Sequence, residues 1–281
     1  MKDAAITKPP DAIEAIEWPL LLEAVWRRYG YDFRDYAPAS LKRRVRRAME
    51  LQGLPTLSAL QDAVLHDERA MAVFLDNLTV EVTAMFRDPS FYRAFRARVV
   101  PLLRPLPLIR VWHAACSTGE EVYSMAILLH EAGLLDKTRL YATDMNERVL
   151  ETARAAIYPP RHMQDHTTNY QRAGGTASFS DYYTAKHDGA ILHEFLRRNI
   201  VWAGHNLVSD SSFNEFDVIL CRNVMIYFNR ELQARVHQLL YASLAQGGVL
   251  GLGRGETLQF TPRENCYEVL DANERLYRRV P

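Results

Sequence analysis

The residues with the most chemical content lie together in VWHAACSTGEEVYS, Val111 to Ser124. An apolar run leads into six small residues (Ala114, Ala115, Cys116, Ser117, Thr118, Gly119), and two carboxylates follow, Glu120 and Glu121. With the apolar helical segment YSMAILLHEAG after it, the stretch reads as strand, tight turn and helix start. That is where open α/β sheets hold nucleotide-like cofactors. The turn is not GxGxxG and carries acid where a phosphate site has lysine. A pyrophosphate wants bare backbone N–H groups and positive charge at a helix start. Glu120 and Glu121 would repel it. They suit a ligand with hydroxyls to bind and positive charge to neutralise, such as S-adenosylmethionine with its sulfonium and ammonium. Asp144 closes the next apolar run, RLYAT, as an acid that grips ribose hydroxyls does. Arg87, in LTVEVTAMFRDP, is flanked by Met85 and Phe86. It is either a surface arginine or a partly buried one that needs a partner.

Other chemistries lack their signatures. HExxH, GxSxG and the P-loop pattern are absent, the histidines fall in no ligand-type spacing, and no metal site is expected. Cys116, Cys221 and Cys266 lie far apart, which disfavours a disulfide framework or a zinc site and fits small buried residues near strand ends.

These residues need a scaffold, and the pattern supplies one. Residues from about Ala12 to Leu78 read as helices. Ser40 is placed to cap a helix through Leu51 that stops at Gly53. Leu41, Val45 and Met49 form its apolar stripe, with Lys42, Arg43, Arg44, Arg46 and Arg47 between them. That charge is either a solvated face or a docking face for an acidic partner. From Ile109 strand and helix alternate: strands Leu108–Trp112, Arg139–Thr143, Asn199–Ala203, Phe216–Leu220 and Val249–Leu252, the last entered through Gly247 and Gly248. Tyr267–Leu270 and Arg275–Arg279 form a closing hairpin. Ile157 to Arg197 interrupts the alternation with polar and aromatic sequence, as a functional insertion does. The expected domains are a helical one over 1–85 and an α/β one over 86–281, with a small β subdomain inserted over 160–198.

The chain of 281 residues balances 34 basic against 34 acidic side chains. Bulk charge therefore gives no reason to expect nucleic acid or membrane as a partner. No apolar run reaches membrane-spanning length, and the start, MKDAAITKPPDAIEAIEWP, has no signal-peptide core, so a cytoplasmic location is expected.

LTVEVTAMFRDP, VWHAACSTGEEVYS, YATDMNERVL, FDVILCRNVMIYF and GGVLGLGRGE, in this order and spacing, resemble the CheR-type chemotaxis receptor methyltransferases. The resemblance runs from about Leu20 to nearly the end. It implies a Rossmann-like methyltransferase sheet of seven strands, the last antiparallel, with a helical domain before it and a β subdomain within it. It implies S-adenosylmethionine as cofactor and a methyl ester on chemoreceptor glutamates as product. By position, Glu81, Thr83, Arg87, Ala115, Glu120, Asp144, Met145, Asn206, Leu207, Arg222 and Asn223 resemble the cofactor contacts, with Asn206 and Leu207 beside the adenine. Arg87 and Tyr227 resemble the groups that orient the substrate carboxylate, and Arg222 either touches cofactor or holds its loop. Lys42, Arg43, Arg46 and Arg47 would face the receptor's cytoplasmic helices, and the insertion can dock a receptor tail peptide. Glu81 stands where the family commonly has Asn, and Met85 where it has Phe. Two rival readings remain at this stage: a methyltransferase for another substrate class, against which the missing [ND]PP[YF] loop counts, and a cofactor-binding adaptor without catalysis.

Overall fold

The computed structural model describes residues 10–79, 83–186, 189–259 and 261–280. They divide into two units, one of residues up to 80 with Tyr227–Leu232, the other of 81–226 with 233 onward.

The first unit is helical: α1 (Pro10–Tyr29), α2 (Pro38–Gln52), α3 (Leu57–His66) and α4 (Glu68–Leu78). Its core is Leu21, Val25, Val45, Leu60, Val64 and Phe74, each fully buried. α2 begins one turn before the expected cap at Ser40. Pro38 opens it, because a proline at the first helical position has its φ preset and no N–H to strand. Gly53 closes it at φ 64. α4 runs through Leu78, which is buried with Phe74 and Leu75 on one helical face.

The second unit opens with α5 (Pro89–Ala94), a π turn (Phe95–Val99) and α6 (Val100–Leu103). The wide turn lies just ahead of Pro101, which cannot donate into a regular ladder. The sheet strands are β1 (Ile109–Ala114), β2 (Thr138–Asp144), β6 (Ile200–Gly204), β7 (Phe216–Cys221), β8 (Leu244–Leu252), β9 (Tyr267–Asp271) and β10 (Leu276–Arg279). Their order is β6-β2-β1-β7-β8-β10-β9, with β10 antiparallel to its neighbours and the β6-to-β8 pairings parallel. Helices α7 (Glu120–Glu131), α8 (Glu147–Ala155) and α11 (Arg230–Ser243) make the connections. β1 and β7 are almost wholly buried apolar residues, as parallel strands covered on both faces must be. β8 begins at Leu244, earlier than expected. Gly247 at φ 77 lets the strand bulge and resume pairing, so the two glycines lie inside it.

Between β2 and β6 the chain forms a second sheet, β3-β5-β4, from Ile157–Tyr158, Gly189–Leu192 and Tyr183–Lys186. α9 (Met163–Arg172) precedes it in part and α10 (Glu194–Arg197) follows it. Among the described residues no helix is long and apolar enough to cross a membrane.

Candidate active site

Strand order reverses between β1 and β7, and the crevice at the carboxyl ends of strands flanking such a switch point is where open α/β sheets bind ligands. The turn after β1 opens into it. Ala115 and Ser117 adopt left-handed φ of 58 and 50, conformations that L-residues avoid unless held. Gly119 at φ 91 then starts α7. The Cys116 N–H donates to the Thr143 carbonyl (2.9 Å) and the Ser117 N–H to Asp144 Oδ2 (2.9 Å), tying this turn to the end of β2. The Asp144 carbonyl accepts from the His205 N–H (3.1 Å), tying β2 to the loop after β6.

Asp144 is buried, and burial pushes its carboxyl up despite N–H donors from Asn146, Ser117 and Met145. A carboxylate has about four lone-pair sites, so these donors leave it capacity for a ligand hydroxyl. The Ser117 hydroxyl is also buried without a partner. Burial likewise pushes the Cys116 and Cys221 thiols far up, which keeps them inert at neutral pH.

The two glutamates of the turn take different roles. Glu120 is buried at the first position of α7 and accepts from the Thr118 hydroxyl (2.7 Å). Glu121 pairs with His113 Nδ1 (3.0 Å) and Arg222 (2.9 Å). Burial alone would raise its carboxyl; the His113 hydrogen bond and the Arg222 charge outweigh that and hold it low. Glu120 and Asp144 therefore remain as the acids that a cationic, hydroxyl-bearing cofactor would meet. S-adenosylmethionine fits this donor and acceptor set.

Arg222, whose side chain is 2 % exposed, links three elements. It bonds Glu121 on α7 and Asp88 Oδ2 (2.9 Å), and lies 3.9 Å over the Phe91 ring. These contacts hold the loop after β7. Asp88 belongs to a strained turn, Phe86 to Asp88, with left-handed φ of 53 and 58 at its ends. The Phe86 N–H donates to Ser124 Oγ (2.8 Å), which itself donates to the Glu120 carbonyl (2.6 Å). Thr83 and Arg87, both half-buried, are thus carried on a segment fastened to α7 and to the β7 loop. Glu81 lies outside the described residues.

Asn206 serves its own turn. Its Oδ1 accepts from the Val208 N–H (3.0 Å) and its N–H donates to Asp210 (2.8 Å), leaving Leu207 buried behind it. Asn223 adopts φ 63 in the loop after β7. That loop rests on Glu256, which the sequence pattern left without a role. Glu256 accepts from the N–H groups of Gly253 (2.6 Å), Asn223 (3.0 Å), Val224 (2.8 Å) and Met225 (2.8 Å). Its signal was present as the only acid in GGVLGLGRGE. Tyr227 belongs to the first unit. Its carbonyl accepts from the Ala37 N–H (2.8 Å), and the Arg44 guanidinium lies 4.2 Å from its ring centre.

Comparison with known proteins matches these two units to two family descriptions. Residues 81–274 match "CheR methyltransferase, SAM binding domain", and residues 16–79 match "CheR methyltransferase, all-alpha domain". The chain is 47% identical over 264 residues, 94% of its length and 97% of the relative's, to "Putative methyltransferase Cher3" of Pseudomonas putida. It is 32% identical to "Chemotaxis protein methyltransferase" of Listeria innocua, over 83% of this chain and 87% of that one. It is 29% identical to "Chemotaxis protein methyltransferase 1" of Pseudomonas aeruginosa, over 78% and 82%. The second unit is thus an S-adenosylmethionine-binding domain, and the chain is a member of the CheR methyltransferase family.

Proposed function

We propose that the protein is a cytoplasmic protein-glutamate O-methyltransferase that esterifies glutamate side chains on the cytoplasmic helices of chemoreceptors. The observation that carries this reading is the fastening of the Phe86–Asp88 turn by Ser124 and Arg222. It fixes one arginine, Arg87, on the same edge of the sheet as the cofactor turn, where an incoming carboxylate needs a cation. The names of the Listeria and Pseudomonas aeruginosa relatives support the chemotaxis setting.

S-adenosylmethionine supplies an electrophilic methyl on sulfonium. Asp144 and Glu120 would hold its hydroxyl and cationic ends, with Ala115, Met145, Asn206, Leu207 and Asn223 as the further proposed contacts. A glutamate carboxylate is ionised at neutral pH and is already the nucleophile, so no strong general base is needed. Arg87 orients it. Alignment of this kind can lower a barrier by several kcal/mol, about 7–11 at best.

Lys42, Arg43, Arg46 and Arg47 of α2 are the proposed contacts to acidic receptor helices. Their present partners, Glu14 at 3.2 Å from Arg46 and Glu50 at 3.2 Å from Arg47, are surface pairs, weak enough to exchange. β4 is an outer strand of the inserted sheet with Thr184, Ala185 and Lys186 exposed, an edge where an extended tail peptide can add as a strand. Arg87→Ala tests the assignment. Methyl transfer to a receptor cytoplasmic fragment should fall at least 100-fold, about 3 kcal/mol of barrier, with unchanged circular dichroism. Full rate in the variant removes Arg87 from the chemistry.

A further inference from the structure

The run Ala173–Gly175, which the sequence pattern left unexplained, ends α9 in a knot. A Cβ on Gly175 would fall 2.2 Å from Tyr170 Cζ, so only glycine fits. The Gly175 N–H donates to the Tyr170 carbonyl (3.1 Å). Arg93 donates to the Arg172 carbonyl and Arg96 Nε to the Ala173 carbonyl (3.3 Å). The Tyr170 hydroxyl donates to Glu131 Oε1 (2.5 Å) and accepts from the Ala177 N–H (2.9 Å). The same Oε1 takes the Tyr182 hydroxyl (3.1 Å) and the Thr176 N–H (2.9 Å), while Oε2 pairs with Arg96. Glu131 is the last residue of α7, where the helix dipole disfavours a carboxylate. Burial also works against its charge, yet Tyr170, the Thr176 N–H and Arg96 together hold it below the ordinary range. So many donors on an unfavourably placed acid mark a joint that has to be rigid.

The joint faces the arginine turn. Asn169 Nδ2 donates to the Met85 carbonyl (3.2 Å). The rings of Tyr170 and Phe179 pack against Phe86 with centroids 5.3 and 6.3 Å away, steeply inclined to it. Phe86 is bulky and sits at φ 53, a conformation that persists only where surroundings over-determine it. Ser124 and Arg222 hold this turn from the sheet side, and α9 of the insertion holds it from the other.

We propose that Asn169 and Tyr170 are positioning residues for Arg87, so that the inserted segment tunes methyl transfer besides any docking role. This rests on Arg87 orienting the substrate carboxylate. A kinetic coupling follows: loosening α9 slows the transfer step more than it weakens cofactor binding, since no α9 side chain named here touches the acidic turn or Asp144.

Asn169→Ala and the near-isosteric Asn169→Asp, which lacks the donor, are compared with wild type in the full chain. Hydrogen exchange is followed over residues 83–94, and methyl transfer to a receptor cytoplasmic fragment is measured at saturating S-adenosylmethionine. With one hydrogen bond lost, the Phe86 and Arg87 amides should exchange about 3- to 10-fold faster. kcat should fall by a comparable factor, with KM for the cofactor changed by less than about twofold. Asn169→Gln, which keeps a donor, should recover part of the rate. Unchanged exchange in the turn overturns the proposal whatever the substrate proves to be. Faster exchange with undiminished kcat overturns the positioning role. Wild-type protein inactive on carboxylates would end the glutamate reading instead, and the exchange comparison would still decide whether α9 holds the turn.

Discussion

At the scale of single residues, one carboxylate can organise as much backbone as a strand. Glu256 gathers the N–H groups of Gly253, Asn223, Val224 and Met225 and so shapes the loop that carries Asn223. Replacing it by glutamine keeps size but removes the charge and turns one oxygen into a donor facing N–H groups. Glu256→Gln should lower stability by about 2 kcal/mol in urea unfolding and weaken S-adenosylmethionine binding in calorimetry. Wild-type values in both would remove Glu256 from the account. Sequence singled out Glu120 and Asp144 as candidates, because acid beside a small-residue turn disfavours phosphate by charge alone. Glu256 was not legible, since its acceptors are spent on backbone that only the fold brings near. Glu121 was misleading for the same reason: it reads like Glu120 but is engaged by His113 and Arg222.

At the scale of elements, the turn between β1 and α7 is fixed by close approach. A Cβ on Gly119 would stand 2.9 Å from the Ala153 Cβ and 3.2 Å from Trp202, on a backbone at φ 91. Gly119→Ala therefore combines strain with overpacking and should cost about 2–4 kcal/mol in unfolding measurements. It should also reduce cofactor affinity, since α8 and the turn must separate to admit the methyl; an alanine variant of full affinity would contradict that. Strands and helices of the sheet were readable from alternation of period, and their ends moved by only a few residues. The π turn before Pro101 and the early start of β8 were not, because a ladder irregularity leaves no periodic trace. The tight seat of Gly175 under Tyr170 is tertiary and leaves no local sequence signal.

At the scale of the whole molecule, acid should act first through two histidines. Burial holds both His166 and His237 down to about 4, with the His162 charge adding to the effect on His166. Between the ordinary 6.5 and about 4 the unfolded chain binds protons that the folded chain refuses. Their contribution is therefore complete above pH 6.5 and declines as pH falls through that window. Glu121 and Glu131, held low, add a further loss only below their ordinary 4.5. His237→Gln should flatten the stability difference between pH 7 and pH 5 by on the order of 2 kcal/mol, read from urea unfolding at the two values; an unaltered slope would contradict it. A sheet of seven strands and the helical unit before it were implied by the family resemblance, while the division that groups Tyr227 with the helical unit was not, because chain proximity put it beside Asn223. The central claim, ester formation on glutamate, is tested most directly by product chemistry. Receptor cytoplasmic fragment is incubated with enzyme and methyl-labelled S-adenosylmethionine, then treated with mild alkali. The account predicts that label enters the fragment and leaves as volatile methanol. Label that stays bound through alkali, or that never enters, would contradict it.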